Sequence, residues 1–272
     1  GLVIFCALVS FLYITSIGLS VGMKQISEPR CLIRFYSVDN AKSMKFAMIA
    51  TPILLGVSLI CVFSVGALVH GMATPQEAAY LVKNTDEVIG FMLAKMNNPW
   101  ITGVCMAGLF AAGMSSLASV ILIVGTAFIG DIWNLVRPLS QQQMVSYTKW
   151  LMWLYSAIVV AITIYPPAGI VELTAFSGAV FAAGFFPAVY GGLYWRWGTG
   201  TGAFWSMVIG IVATVGWRLF VRFSVPGMRD YHEIFAGFIV SIVAYVVISL
   251  LSQGDRPSEE HLDHVFHTNQ AK

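Results

Sequence analysis

A chain of 272 residues that is 58% hydrophobic and only 10% charged, with a mean hydropathy of +0.79, is not a soluble domain, in which about 25% of residues are charged. A net charge of +2 with no basic run excludes nucleic acid as a partner. The four cysteines, Cys6, Cys31, Cys61 and Cys105, lie scattered in or beside apolar segments with no CxxC pair, so neither a disulfide framework nor a metal centre is indicated.

Seven apolar stretches are long enough to cross a bilayer: about 2–22, 46–69, 101–129, 149–165, 171–194, 203–222 and 232–251, each near the ~20 residues required. None alternates with period two, so the expected class is an all-α integral membrane bundle rather than a barrel. Gly1 opens directly into the first stretch, without a charged flank or cleavage motif. That argues against a signal peptide and for a chain that begins partway through a larger protein. The first stretch holds Gly18 and Gly22, followed by Lys24-Gln-Ile-Ser-Glu-Pro29. Two readings stand. The helix ends near Gly22 and Lys24 snorkels to the surface, or Gly18–Gly22 is the unwound middle of a discontinuous helix.

After the second stretch, His70 to Pro99 is polar and then reads Glu87-Val-Ile-Gly-Phe-Met-Leu-Ala-Lys-Met96, a short amphipathic helix that serves as a connector or a lid. The third stretch contains the most unusual composition in the chain. Within a long apolar helix from about Trp100 to Ile129, Ala112, Ser115, Ser116 and Ser119 share one face at 100° per residue. A face of small residues and hydroxyls permits close helix packing. It also offers oxygens at membrane depth, which hard cations require. Composition alone leaves packing and ion binding both open.

Pro166-Pro-Ala-Gly169 predicts a tight turn before the fifth stretch. Glu172 follows within about a turn, which reads as an interfacial carboxylate. The fifth stretch is rich in small residues and Phe, with Pro187 inside, and predicts close packing and a kink. The tail from Ser252 is polar. His261, His264 and His267 are spaced by three, which suits either a solvated amphipathic tail or metal ligands on one face.

Ten of the fifteen Lys and Arg residues fall in segments on one side of the expected spans, including Lys24, Arg30, Arg34, Lys42, Lys45 and Arg196. The positive-inside rule makes that side, and the C-terminus, cytoplasmic. The expected location is the plasma or inner membrane, multi-pass.

Three stretches together resemble the sodium:solute symporter family, which includes proline, pantothenate and sodium/glucose cotransporters. They are Glu28-Pro-Arg-Cys-Leu-Ile-Arg-Phe35; Asn98-Pro-Trp with Ala111-Ala-Gly-Met-Ser-Ser-Leu-Ala-Ser119 and Asp131-Ile-Trp; and Gly191-Gly-Leu-Tyr-Trp-Arg with Gly202-Ala-Phe-Trp-Ser-Met-Val-Ile-Gly210. The resemblance implies the C-terminal half of a leucine-transporter-like inverted-repeat fold. Residues 1–194 would be its sixth to tenth core helices and 195–252 two accessory helices, with 253–272 a polar cytoplasmic tail. The N-terminal half would lie outside this chain.

The resemblance further implies a sodium ion held by the Ala112 carbonyl and the Ser115 and Ser116 hydroxyls, with the remaining oxygens supplied by the absent first core helix. Solute contacts would fall on Gly18, Val21, Gly22, Gln25, Phe176 and Ser177. Proline-type members carry Trp and Tyr where this chain has Val21 and Gln25, which argues against carrying over proline specificity. The C-terminal signature departs too, with Trp197 where a basic residue is usual. The implied activity is sodium-coupled uptake of a small organic solute by alternating access. The expected partners are sodium, the solute and lipid, with no organic cofactor.

A retinal protein is excluded because the last stretch has no lysine for a Schiff base. A membrane enzyme lacks any His/Asp/Glu cluster within a span. A transport-inactive family member acting as a sensor remains open.

Overall fold

The computed structural model describes residues 2–36, 38–221, 224–225 and 232–270, and of these the backbone alone at 2–10, 12, 13, 30, 33–35, 70, 264, 265 and 267–270. These residues are almost entirely helical: α1 (Leu2–Ser27), α2 (Pro29–Tyr36), α3 (Ala41–Met72), α4 (Pro75–Lys83), α5 (Val88–Met96) and α6 (Pro99–Ala127). A π-helical turn (Phe128–Trp133) leads into the short α7 (Asn134–Val136), then α8 (Gln141–Ile164), α9 (Ile170–Tyr194), α10 (Gly200–Gly216), α11 (Glu233–Leu251) and α12 (Glu259–Gln270). A second π-helical turn, Trp217–Val221, extends α10. There is no strand among the described residues.

Among the described residues, six helical segments are long and apolar enough to cross a membrane: Ala41–Val69, Pro99–Val136, Gln141–Ile164, Ile170–Tyr194, Gly200–Val221 and Glu233–Leu251. They cover six of the seven expected stretches, and the remaining one falls in the 26-residue α1. The protein is thus an all-α integral membrane protein.

Several helices outrun their apolar stretches because capping, not hydropathy, sets where a helix begins. α8 starts at Gln141, where Ser140 and Gln143 form a reciprocal capping box. Thr74 and Glu77 do the same for α4. At α6, the Asn98 side chain accepts from the Trp100 and Ile101 amides at 3.1 and 3.3 Å, and Pro99 takes the first helical position, where its missing N–H leaves nothing unpaired.

The chain divides into two compact units: Gly1–Phe35 with Ile170–Lys272, and Tyr36–Gly169. In the first unit, α9 is lined with buried small residues, among them Ala175, Gly178, Ala179, Ala182, Ala183 and Gly184. Lipid supplies no hydrophobic drive between helices, so close backbone approach and interhelical hydrogen bonds carry the association. Ser241 on α11 donates to the Ser206 carbonyl of α10 at 3.0 Å. Gly210 lets α10 sit directly against the Ala183 carbonyl and Ser241. Ala179, Ala182 and Ile234 form the buried centre, with Leu19, Met23, Phe235 and Phe238 packed around it.

The C-terminal tail docks on this unit instead of standing free in solvent. Arg196 bonds Glu259 at 2.8 Å and Asp263 at 2.6 Å, Asp255 accepts from the Thr201 amide and hydroxyl at 2.9 and 2.6 Å, and Leu262 is buried. His261 is exposed. The side chains of His264 and His267 lie outside the described residues, and no metal-ligating group of three is found among those described.

In the second unit, α6 and α8 meet where Gly125 faces Met152 and Thr148. The predicted helix at 87–96 is present as α5, and Lys95 on it reaches Glu77 of α4, with Nζ at 2.9 and 2.8 Å from the two carboxylate oxygens. The Lys95 ammonium, followed by the Thr74 amide and hydroxyl, lowers the Glu77 carboxyl to about 2. A depressed folded-state value stabilises the fold above the ordinary carboxyl range and loses that contribution as pH falls toward 2. Amide hydrogen exchange across residues 75–96 is therefore expected to accelerate between pH 5 and 3 relative to α6, and an even response of both segments would contradict the linkage.

Candidate functional site

The hydroxyl-bearing face of the third stretch lies on α6, well inside a continuous helical run. The Ser119 hydroxyl bends back to the Ser115 carbonyl at 3.0 Å, the i−4 bond that a serine in an apolar helix commonly makes. Ser115 and Ser116 behave differently. Their hydroxyls make no hydrogen bond to any described residue, and Ala112, Ser115 and Ser116 are all exposed on the unit that carries α6. A bare hydroxyl at membrane depth is unfavourable. This face is thus chemically equipped to meet an oxygen-seeking cation or another polar helix, and three predicted positions share it.

The predicted solute residues belong to the other unit, on α1 and α9. The structure departs from both readings of the first stretch. α1 neither ends at Gly22 nor unwinds at Gly18–Gly22; it is helical to Ser27 and breaks at Glu28. Glycine alone does not interrupt a helix whose ladder is complete, whereas Pro29 has no N–H to give and starts α2 afresh. The break remains partly bonded, because the Glu28 amide donates to the Lys24 carbonyl at 2.7 Å and the Glu28 carbonyl receives the Cys31 and Leu32 amides.

α1 packs on α9 through a stripe that composition did not single out. Ser16, Ser20 and Ser27 are buried. The Ser20 hydroxyl donates to the Ala175 carbonyl at 2.7 Å, and the Ser20 backbone seats on Gly178, where an added Cβ would lie 3.1 Å from its carbonyl. Further along, the Ser27 hydroxyl donates to the Met23 carbonyl at 2.8 Å and lies 3.4 Å from the Phe181 carbonyl. Between them, the Lys24 ammonium donates to the Ser177 hydroxyl at 3.2 Å and sits 5.5 Å from the centre of the Phe181 ring.

The six predicted solute residues are therefore split. Ser177 meets Lys24. Gly18, Gly22 and Gln25 lie on an exposed face of α1, where Gln25 accepts from the Cys31 thiol at 3.4 Å, and Val21 is half-buried beside them. Phe176 points elsewhere: the Arg218 guanidinium stacks on its ring at 4.7 Å.

That arginine is the residue the sequence reading missed. Arg218, in the π-helical turn after α10, bonds Glu233 at 3.0 Å and Glu172 at 3.1 Å. Its side chain is 13% exposed and that of Glu233 is fully buried. Glu172 is thus an ion-pair partner rather than a free interfacial carboxylate. Three helices, α9, α10 and α11, are tied at one end through a single planar cation.

Comparison with known proteins accords with the resemblance seen in the motifs. The family model of the sodium:solute symporter family matches residues 5–210. This chain belongs to the sodium:solute symporter family. Among its relatives, the sodium/proline symporter of Haemophilus influenzae is 27% identical over 249 residues, covering 89% of this chain and 48% of the relative. The sodium/proline symporter of Escherichia coli is 27% identical over 241 residues, covering 87% and 46%. The osmoregulated proline transporter OpuE of Bacillus subtilis is 24% identical over 246 residues, covering 89% and 48%. The chain spans about half the length of these curated relatives. No solved structure matches it. The match in this symporter-family chain takes in α1 from its fourth residue, the hydroxyl face of α6, all of α9 and most of α10.

Proposed function

We propose that this chain is part of a sodium-driven symporter that carries a small organic solute across the cell membrane by alternating access. It would form the C-terminal half of a leucine-transporter-like core, with a cytoplasmic C-terminus. The observation that carries the reading is the pair of open hydroxyls, Ser115 and Ser116, on a membrane-spanning helix of a family member. In this reading the Ala112 carbonyl and the two hydroxyls give part of a sodium cage, and the remaining oxygens come from a part of the relatives' length that this chain does not span. No covalent chemistry is required. Sodium and solute bind one conformation better than the other, and that difference drives the cycle.

The test is sodium-gradient-driven uptake by the full-length protein in proteoliposomes, with labelled amino acids, monocarboxylates, vitamins and sugars as probes. Ser115→Ala and Ser116→Ala each remove one oxygen and are expected to raise the half-saturating sodium concentration about tenfold, the equivalent of about 1.4 kcal/mol. Unaltered sodium dependence in both variants removes the site from α6.

A further inference from the structure

We propose that Lys24 is the counter-charge for a carboxylate on the transported solute, an inference that rests on the symport reading above. Its first support is depth. Ser20 lies at Ala175 and Ser27 at Phe181, so α1 and α9 run in the same direction with a fixed stagger. Ser177 and Phe181, which flank the ammonium, are the eighth and twelfth residues of the 25-residue α9. At 1.5 Å per residue they stand about 10 to 17 Å along a helix about 37 Å long. Lys24 is thus near the last turn of its own helix but near the middle of the helix it packs against. The surface-snorkelling reading of the sequence does not survive that register.

The second support is valence. An ammonium has three donors. One goes to the Ser177 hydroxyl, and the Phe181 ring faces the charge. Both partners are neutral, and no carboxylate among the described residues lies within 4 Å of Nζ. Intramembrane lysines are generally paired, or else line a pathway for a charged substrate. A single cation with two free donors, steadied by a hydroxyl and a ring, fits one carboxylate. A sugar or another uncharged solute would leave the charge unbalanced.

The test uses full-length protein in proteoliposomes under an inward sodium gradient. The probes are L-proline with L-prolinamide, propionate with propionamide, and pantothenate with its alcohol, together with D-glucose. Uptake of at least one acid with exclusion of its uncharged-end analogue is the expected result. Lys24→Met is expected to raise KM for that acid about 30-fold or more, with the half-saturating sodium concentration unchanged, and Lys24→Arg to recover part of it.

Uptake of glucose, or equal uptake of acid and analogue, overturns the proposal while leaving symport intact. So does a Lys24→Met protein that melts at a lower temperature but keeps the same acid-to-analogue selectivity, since the ammonium would then serve only the fold. Absence of sodium-driven uptake for every probe by the parent protein defeats the symport reading itself, and this inference with it.

Discussion

Full-length protein carrying Arg218→Ala is expected to lose about 3–5 kcal/mol of stability, the usual result of breaking a buried ion pair from one side. The substitution removes the fork that holds Glu172 and Glu233, and Glu233 stays fully buried. It also bares the Phe176 ring, on which the guanidinium stacks at 4.7 Å. Arg218→Lys retains the charge but cannot present two parallel donors to two carboxylates while lying flat on a ring, so it should fall between parent and alanine. The measurement is thermal unfolding in detergent, followed by intrinsic fluorescence. Combining Arg218→Met with Glu172→Leu and Glu233→Leu should restore most of the loss, because neutral partners of similar bulk need no compensation. An Arg218→Ala protein that melts with the parent would show that the three helices are held by their small-residue contacts alone.

Gly210→Val is expected to be as damaging for a different reason. A Cβ at this position meets the Ala183 carbonyl oxygen and stands 2.8 Å from the Ser241 Cβ. Neither neighbour is the loose end of a flexible side chain. Overpacking of this kind costs about 1–3 kcal/mol, and more when backbone must move. Separating α10 from α11 would also break the 3.0 Å bond from Ser241 to Ser206, worth about 1 kcal/mol. Gly216→Ala is the control. That glycine has open space around it, so alanine should be neutral or gain up to about 1 kcal/mol through helix propensity. The ratio of monodisperse to aggregated protein after detergent extraction reads the difference. Equal behaviour of the two variants would mean that the α10–α11 contact is looser than its geometry indicates.

The helices and their class were legible because a bilayer leaves few alternatives: a run of about 20 apolar residues must satisfy its own backbone. The hydroxyl face of α6 was legible for the same reason, since Ser115, Ser116 and Ser119 violate an otherwise apolar pattern at helical spacing. The break at Glu28 was misplaced toward Gly18–Gly22 because glycine marks permissiveness whereas proline imposes a change, and Pro29 was the stronger signal. The starts of α4 and α8 were written in the Thr74–Glu77 and Ser140–Gln143 spacings. What local pattern could not show is pairing across distance. Arg218 lies 46 residues from Glu172, and Arg196 lies 63 and 67 residues from its tail partners. Each of these charges reads, in its own window, as an unremarkable end-of-helix residue.

The separation of Lys24 from Ser177, 153 residues, has a consequence for biogenesis. A ribosome adding about 5–20 residues per second brings α9 out roughly 8–30 seconds after α1. Throughout that interval the Lys24 ammonium lacks Ser177 and Phe181, and the serine stripe of α1 lacks its α9 cover. The seating of the Ser20 backbone on Gly178 can form only once α9 is present. α9 therefore has to be made before α1 can reach the packing seen in the folded protein.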